Sequence, residues 1–440
     1  MATSSTRATV PSPDTLAATD QARRKAFAGS VVGHLVEWYD YGIYGYLAVF
    51  IGASFFPSEN PIVSILSSFA VFALSFFIRP LGGMFFGPLA DRIGRRNTLL
   101  IVLTVMAAST FAIGLLPSYA SIGIAAPILM VVVRCIQGFS AGGEVGTVAT
   151  FISEYARPER RGFATSWLLA ISAAGLLIGA FVANGLSWLL GNESMQAWGW
   201  RIPFLIAGPL GLLTLWLRLR LEDSPAFNQL RANKQIAHSP LREAFRQPRA
   251  LLLVAGTVTM ATALFYLVMT YFTTLLRSSL GLPESSIFTA SVLVAVATGA
   301  LMPLGGLISD RIGRRIPMII YALAGIPLSL GLFLVAESRD ITLFFVLMAA
   351  VCLVTGLYGG GVYALMSELL PTRIRATGLA ISYNVPVALF GGSAPFIATA
   401  LITQTGSTAA PGIYFAITCL ISLIALALIR DSDFDTGEQA

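Results

Sequence analysis

Twelve stretches of about 20 mainly apolar residues punctuate this 440-residue chain, at 27–52, 62–88, 98–118, 122–148, 163–190, 201–220, 251–276, 286–308, 317–336, 341–366, 378–403 and 411–429. At about 1.5 Å per residue, each is long enough to cross the ~30 Å apolar layer of a bilayer as one helix. Backbone inside hydrocarbon must satisfy its own N–H and C=O groups, and a run of this length does so as a helix. Composition agrees: 56% of the residues are hydrophobic and 11% are charged, where a soluble domain carries about 25% charged residues. The expected fold class is all-α and integral to the membrane, with twelve transmembrane helices and both termini on one side.

Charge decides which side. With the N-terminus inside, Arg7, Arg23, Arg24 and Lys25 lie in the cytoplasm, followed by the Arg92, Arg157, Arg311 and Arg373 clusters, the basic residues from Arg218 to Arg249, and Arg430. Only Arg201, Arg277 and Arg339 then fall outside, while Arg79 and Arg134 lie within helices. Arg and Lys accumulate on the cytoplasmic side of bilayer-spanning helices, so both ends are expected in the cytoplasm, in a bacterial inner membrane. The net charge of +6 is spread over these clusters and does not read as a nucleic-acid patch.

Residues 1–22 are polar and rich in Ser, Thr, Ala and Pro, which suits a disordered cytoplasmic tail rather than a signal peptide. The longest connection, 221–250, reads as a central cytoplasmic loop between two six-helix bundles, 23–220 and 251–430, with a short tail over 431–440. Cys135, Cys352 and Cys419 sit in different apolar runs, as small hydrophobes without metal or disulfide spacing. His34 and His238 look too isolated for a catalytic or metal cluster. No phosphate-cradling GxxxxGK[ST] occurs, so nucleotide is not expected to supply energy.

The chain is internally duplicated. Gly87-Pro-Leu-Ala-Asp91-Arg92-Ile-Gly94-Arg95-Arg96 returns as Gly306-Leu-Ile-Ser-Asp310-Arg311-Ile-Gly313-Arg314-Arg315, each copy between the second and third helix of its half. A second echo follows the fourth helix of each half, where Ser153-Glu154 precedes Arg161 and Ser367-Glu368 precedes Arg375 at the same spacing. Two motifs repeating at matching helix boundaries indicate duplication. In the loop, Asp91 closes a helix end, Gly94 permits a tight turn, and Arg92, Arg95 and Arg96 are expected in the cytoplasm near anionic headgroups. The carboxylate is expected to pair with a basic residue or a neighbouring helix N-terminus as a latch; a plain positive-inside turn would not need the repeated Asp.

The doubled G-x-x-x-D-R-x-G-R-R loop resembles that of the major facilitator superfamily. Gly33-His34-Leu35-Val36-Glu37-Trp38-Tyr39-Asp40-Tyr41, Phe77-Ile78-Arg79-Pro80-Leu81-Gly82-Gly83, Gln137-Gly138-Phe139-Ser140-Ala141-Gly142-Gly143-Glu144, Trp198-Gly199-Trp200-Arg201-Ile202-Pro203-Phe204 and Leu221-Glu222-Asp223-Ser224-Pro225 resemble its metabolite:proton symporter branch, which includes proline/betaine, alpha-ketoglutarate, citrate and shikimate transporters. The resemblance spans about residues 25 to 430. It implies two bundles related by a pseudo-two-fold axis, a central cavity lined by helices 1 and 4, and alternating access.

Ionisable groups at bilayer depth cost at least ~2.5–3.5 kcal/mol on insertion scales, so each needs a partner or a task. They concentrate in the first half: His34, Glu37 and Asp40, then Arg79, then Arg134 and Glu144. His34, Glu37 and Tyr41 share one helix face, and Gln137 and Glu144 share another. Glu37, Asp40 and Glu144 are the expected proton-coupling residues, since a carboxylate in a poorly solvated cavity can change its charge state; structural ion pairs are the plainer alternative. Arg134 and Arg79 are candidates for a substrate carboxylate, with Arg79 otherwise paired with Asp40 or a lipid phosphate. Gln137, Trp38, Tyr41, Tyr266 and Asn384 complete the candidate binding set.

The expected function is proton-coupled import of a small carboxylate-bearing solute, either an organic acid or a zwitterionic osmolyte such as proline or betaine. A proton-coupled exporter and a transporter-like sensor are the alternatives. No catalytic residue, metal or cofactor is expected beyond the coupling proton, and the partners expected are a small solute and the bilayer, for a monomeric chain without nucleic acid or nucleotide.

Overall fold

The computed structural model describes residues 13–220, 222–278 and 281–434, and among these every regular element is helical. Twelve long elements follow in order. The first half holds α1 (Pro13–Phe55), α2 (Pro61–Ile93), α3 (Arg95–Leu115), α4 (Ala125–Tyr155), α5 (Arg161–Ala197) and α6 (Ile202–Leu219). The second begins with α7 (Pro248–Tyr266), which a π-helical turn over Leu267–Tyr271 carries into Phe272–Ser278. Then come α8 (Glu284–Ile312), α9 (Arg315–Ser338), α10 (Ile341–Glu368), α11 (Arg375–Pro386) and α12 (Ala410–Leu428). A π turn over Val387–Gly391 leads α11 on to Ala394–Thr405.

Eleven of these helices are long and apolar enough to cross a membrane. The remaining one is α1, whose middle carries His34, Glu37 and Asp40 among tyrosines and so falls short on hydropathy alone. Its polar groups are buried: His34 and Glu37 are 0% exposed and Asp40 2%. Apolar side chains such as Leu212, Leu252 and Phe396 are instead exposed on the outer faces, as expected of surfaces that meet lipid.

Two expectations are corrected. Helix α1 begins at Pro13, inside the segment read as a disordered tail over 1–22; residues 1–12 lie outside the described residues. Ala, Gln and Arg between positions 16 and 26 are good helix formers continuous with a spanning helix, so elongation needs no new nucleus. The 221–250 connection is not a plain loop either. It holds two short helices, Pro225–Ala232 and Pro240–Phe245, and α7 starts within it at Pro248. Ser224 caps the first of these by accepting the Phe227 N–H at 3.2 Å. Of the tail over 431–440, Asp431–Asp433 form a single 3-10 turn, and 435–440 lie outside the described residues.

Small residues let the helices meet. A Cβ at Gly142 on α4 would lie 2.0 Å from the Arg79 carbonyl oxygen on α2, so only glycine permits that crossing. The duplicated loops turn through Gly94 and Gly313, with φ of 103° and 90°, a region that favours glycine.

Candidate functional site

The duplicated motif acts across the interface. Asp91, at the end of α2, accepts hydrogen bonds from the N–H and hydroxyl of Thr377 at the start of α11, at 2.9 and 2.6 Å. Asp310, its counterpart on α8, accepts the N–H groups of Gly162 and Phe163 at the start of α5, both at 2.8 Å. Each half therefore places a carboxylate on the other half's helix N-terminus, where orphan N–H donors and the helix dipole favour negative charge. Arg95 also reaches Asp91 at 3.2 Å, and Arg314 reaches Asp310 at 2.5 Å. Of the two partners expected from sequence for this carboxylate, a helix N-terminus and a basic residue, both are present.

The second echo joins it. Glu154 lies 3.3 Å from Arg95 within its own half and 3.6 Å from Arg375 of the other half, while Glu368 pairs with Arg314 at 3.0 Å. Arg95 is 0% exposed and donates to the Thr372 carbonyl across the interface at 2.9 Å, which corrects its expected place among headgroups. Arg92 instead donates to the His238 carbonyl of the linker, Arg96 to the Leu219 carbonyl at 2.6 Å, and Arg315 to Leu426 and Ala427. Arg311 is exposed. Gly87 and Gly306 pack so close to the opposite half that a Cβ would lie 2.8 Å from the Thr377 Cα and 2.5 Å from the Gly162 carbonyl oxygen.

The linker docks on the same end. The Asp223 carboxylate accepts the N–H groups of Arg95 and Arg96 at 3.0 and 3.4 Å, and the Ser224 hydroxyl donates to Glu154. Burial pushes the Asp223 carboxyl above its usual range, against the pull of the N–H groups of Ser224, Arg96 and Arg95 and of the Arg95 charge. Glu154, Asp223, Ser224 and Arg375 thus extend this contact network beyond the repeated loop. The Glu154/Glu368 echo was the sequence signal for part of this set; Asp223 and Ser224 were marked only within the Leu221–Pro225 stretch that carries the family resemblance, with no role assigned.

The buried charges form two groups inside the first half. In one, Arg79 donates to Glu37 Oε1 at 2.8 Å. His34 Nδ1 lies 3.4 Å from Glu37 Oε2 and 3.3 Å from Glu144 Oε1, and His34 Nε2 accepts the Trp38 indole N–H at 3.2 Å. Helices α1, α2 and α4 thereby bring His34, Glu37, Arg79 and Glu144 together, all at most 1% exposed. His34 is not isolated, as its sequence position suggested; its partner Glu144 is 110 residues away. Arg79 pairs with Glu37, not with Asp40 or lipid phosphate. His34, Glu37 and Glu144 offer three ligand atoms within 4.8 Å of one another, but the guanidinium already on Glu37 opposes a second fixed cation there.

In the other group, Arg134 donates to Asp40 Oδ2 at 3.1 Å and to Gln137 at 2.5 Å. Gln137 donates to Asp40 at 2.7 Å and to Thr110 of α3 at 2.7 Å, and the Arg134 guanidinium lies 3.5 Å from the Tyr44 ring centroid. This cluster ties α1, α3 and α4 of one bundle. Arg218, counted as cytoplasmic from sequence, is also buried; its guanidinium donates to the carbonyls of Gly29, Leu99 and Ser30.

Between the halves, Trp38, Phe265, Tyr266, Tyr363 and Tyr383 line a cavity of about 10 Å³, room for about one water. Trp38 meets Phe265 edge-on at 5.4 Å and Phe76 meets Tyr266 at 5.8 Å. Arg79 lies one layer behind this wall, with its guanidinium 5.4 Å from the Tyr41 ring centroid and 5.5 Å from that of Phe76. Its Nε and Nη1, and the hydroxyls of Tyr41 and Tyr266, have no hydrogen-bond partner although buried. Asn384 bridges the halves by donating to the Gly142 carbonyl at 2.7 Å, leaving its Oδ1 unpartnered.

The sequence matches the family model of the Major Facilitator Superfamily over residues 30–392. It is 36% identical over 415 residues to a proline/betaine transporter of Salmonella typhimurium, covering 91% of this chain and 82% of that one. Against a citrate-proton symporter of Klebsiella pneumoniae it is 33% identical over 398 residues, covering 89% and 88%. The fold is similar to that of the proton:xylose symporter XylE bound to 6-bromo-6-deoxy-D-glucose, with a TM-score of 0.77 at 17% identity and coverage of 93% and 95%.

Proposed function

The chain belongs to the Major Facilitator Superfamily, and from that membership and the geometry of the site we propose that it imports a small carboxylate-bearing solute together with protons. The two bundles rock about a central site, in a bacterial inner membrane with both termini in the cytoplasm, so that the latches close the cytoplasmic end. The chain works as a monomer, and the proton is its coupling ion.

The observation that carries this reading is the free edge of Arg79. A buried guanidinium with Nε and Nη1 unpartnered, beside the unpartnered hydroxyls of Tyr41 and Tyr266, is a set of donors waiting for an anionic acceptor. Burying such donors unmet costs about 1–3 kcal/mol each, and a carboxylate can meet Nε or Nη1 in a two-bond fork that shares the second hydrogen of Nη2, whose first serves Glu37.

The balance of charge favours a zwitterion over a polyanion. Glu37 already takes one side of Arg79, and among the described residues the middles of α7 to α12 add no cation. The walls include the rings of Trp38, Phe265, Tyr266, Tyr363 and Tyr383 beside aliphatic side chains and Thr262, and ring faces attract a weakly hydrated ammonium. Proteoliposomes with an imposed inward proton gradient, offered labelled glycine betaine, L-proline or citrate, test the reading. Accumulation of a zwitterion that collapses when the gradient is dissipated is expected. Accumulation of citrate alone would overturn the zwitterion assignment, and accumulation of none of the three would overturn import.

A further inference from the structure

We propose that Trp38 is a positioning residue that makes proton uptake at His34 depend on what occupies the central cavity. The inference rests on the symport reading above and adds the link between its two halves, solute and proton.

Trp38 belongs to both places at once. Its ring forms part of the cavity wall and meets Phe265 of the other half at 5.4 Å, while its indole N–H donates to His34 Nε2 at 3.2 Å. An indole N–H can only donate, so in this arrangement Nε2 is unprotonated and the ring proton sits on Nδ1. There it faces Glu144 Oε1 at 3.3 Å and Glu37 Oε2 at 3.4 Å. While the indole stays in place, His34 cannot accept a second proton.

The alternative state is also built. Ser172 Oγ lies 3.0 Å from the same Nε2, and its own hydrogen is committed to the Leu168 carbonyl at 2.9 Å. It is therefore free to accept from a protonated Nε2, a contact that has no use while Trp38 donates. The neighbouring charges suit an imidazolium: Glu37 and Glu144 face Nδ1, Arg79 holds only Glu37, and Arg218 bonds to backbone carbonyls at the foot of α1.

A cavity of about 10 Å³ holds no solute, so a solute enters only by displacing a wall. Displacing Trp38 withdraws its N–H from Nε2. A proton from water admitted with the solute adds to Nε2, is held by Ser172, and is balanced by the two carboxylates. When the indole returns, Nε2 must again be bare, so its proton passes to water on the cytoplasmic side before the cavity closes, while Nδ1 keeps its own hydrogen toward Glu37 and Glu144. One proton enters and one leaves per cycle.

The chain has two histidines, and His238 is exposed, so a His238→Gln background with ¹⁵N-labelled histidine reports His34 alone by solid-state NMR in liposomes. We expect a neutral ring protonated on Nδ1 in the resting protein. Trp38→Phe, which keeps the ring and removes the N–H, is expected to move the tautomer ratio toward Nε2–H by roughly tenfold, the equivalent of one neutral hydrogen bond. Saturating glycine betaine or L-proline should shift the otherwise wild-type signal the same way. In transport, Trp38→Phe should lower gradient-driven accumulation by a larger factor than it lowers solute exchange. Ser172→Ala should hold the Nδ1–H form and lower accumulation, which guards against misfolding of the Trp38 variant. A resting His34 that is doubly protonated or protonated on Nε2, or one unmoved by Trp38→Phe, would overturn the link while leaving proton symport intact. Failure of the wild type to accumulate any probe would overturn the transport reading and this coupling with it.

Discussion

Asp91 and Thr377, 286 residues apart, are joined by two hydrogen bonds that end on one carboxylate oxygen, and the first turn of α11 thereby rests on the end of α2. The duplicated chain repeats this relationship with Asp310 on Gly162 and Phe163. Removing either carboxylate strips a helix N-terminus of its acceptor at a cost of about 1–3 kcal/mol. Asp310→Ala and Asp91→Ala should therefore raise the population open at that end by roughly tenfold or more. Spin labels at the exposed positions Glu159 and Arg311, in a background without native cysteines, should show a longer distance component in Asp310→Ala. An unchanged distribution would rule out the latch.

Glu37 and Asp40 should fail differently when neutralised. Glu37 sits between His34 and Arg79, so Glu37→Gln is expected to keep exchange and lose accumulation. Asp40 is bound to Arg134 and Gln137 inside one bundle, and neutralising one member of a buried ion pair costs about 3–5 kcal/mol. Asp40→Asn should lower the melting temperature of detergent-solubilised protein, and the double variant Asp40→Asn/Arg134→Gln should recover much of it. A double variant no better than the single would refute the strut.

Arg79→Lys keeps the charge and loses the fork. Lys cannot offer paired N–H donors in one plane, so half-maximal uptake should need roughly ten to a hundred times more solute, from the ~1.5–3 kcal/mol of a charge-assisted bond. Arg134→Lys should not shift the concentration dependence of the folded fraction. Equal shifts in both variants would remove Arg79 from the binding site.

At the chain's far end, Arg249 bonds to Asp433 at 2.9 Å on the exposed surface. The hydrogen bond from Arg249 holds the Asp433 carboxyl below its usual range. A carboxyl depressed in the folded state contributes stability above its unfolded value, and that contribution disappears as pH falls through the folded value. The Arg249–Asp433 contribution should thus be intact at neutral pH and lost only in strong acid. It should also be small, because exposed pairs are screened. Asp433→Asn should change the melting temperature at pH 7 much less than Asp310→Ala does; a comparable change would contradict this.

What the sequence determined was local or repeated. Runs of about twenty apolar residues dictate spanning helices by hydrogen-bond necessity, and the doubled Asp-Arg-Ile-Gly-Arg-Arg dictates a turn at each copy's glycine. The buried ionisable residues were visible too, because charge at bilayer depth demands an explanation. Their partners were not visible: helical spacing puts His34 and Glu37 on one face but cannot say that Glu144 and Arg79 meet them there. Only the packing of α1 against α2, α4 and α5 turned a histidine that looked isolated into the centre of a buried network. The same packing placed Arg134 within one bundle and left the free edge of Arg79 one layer behind the cavity between the two. Periodicity records which face a side chain takes; in a bundle of helices, the partner across that face is chosen by tertiary contacts alone.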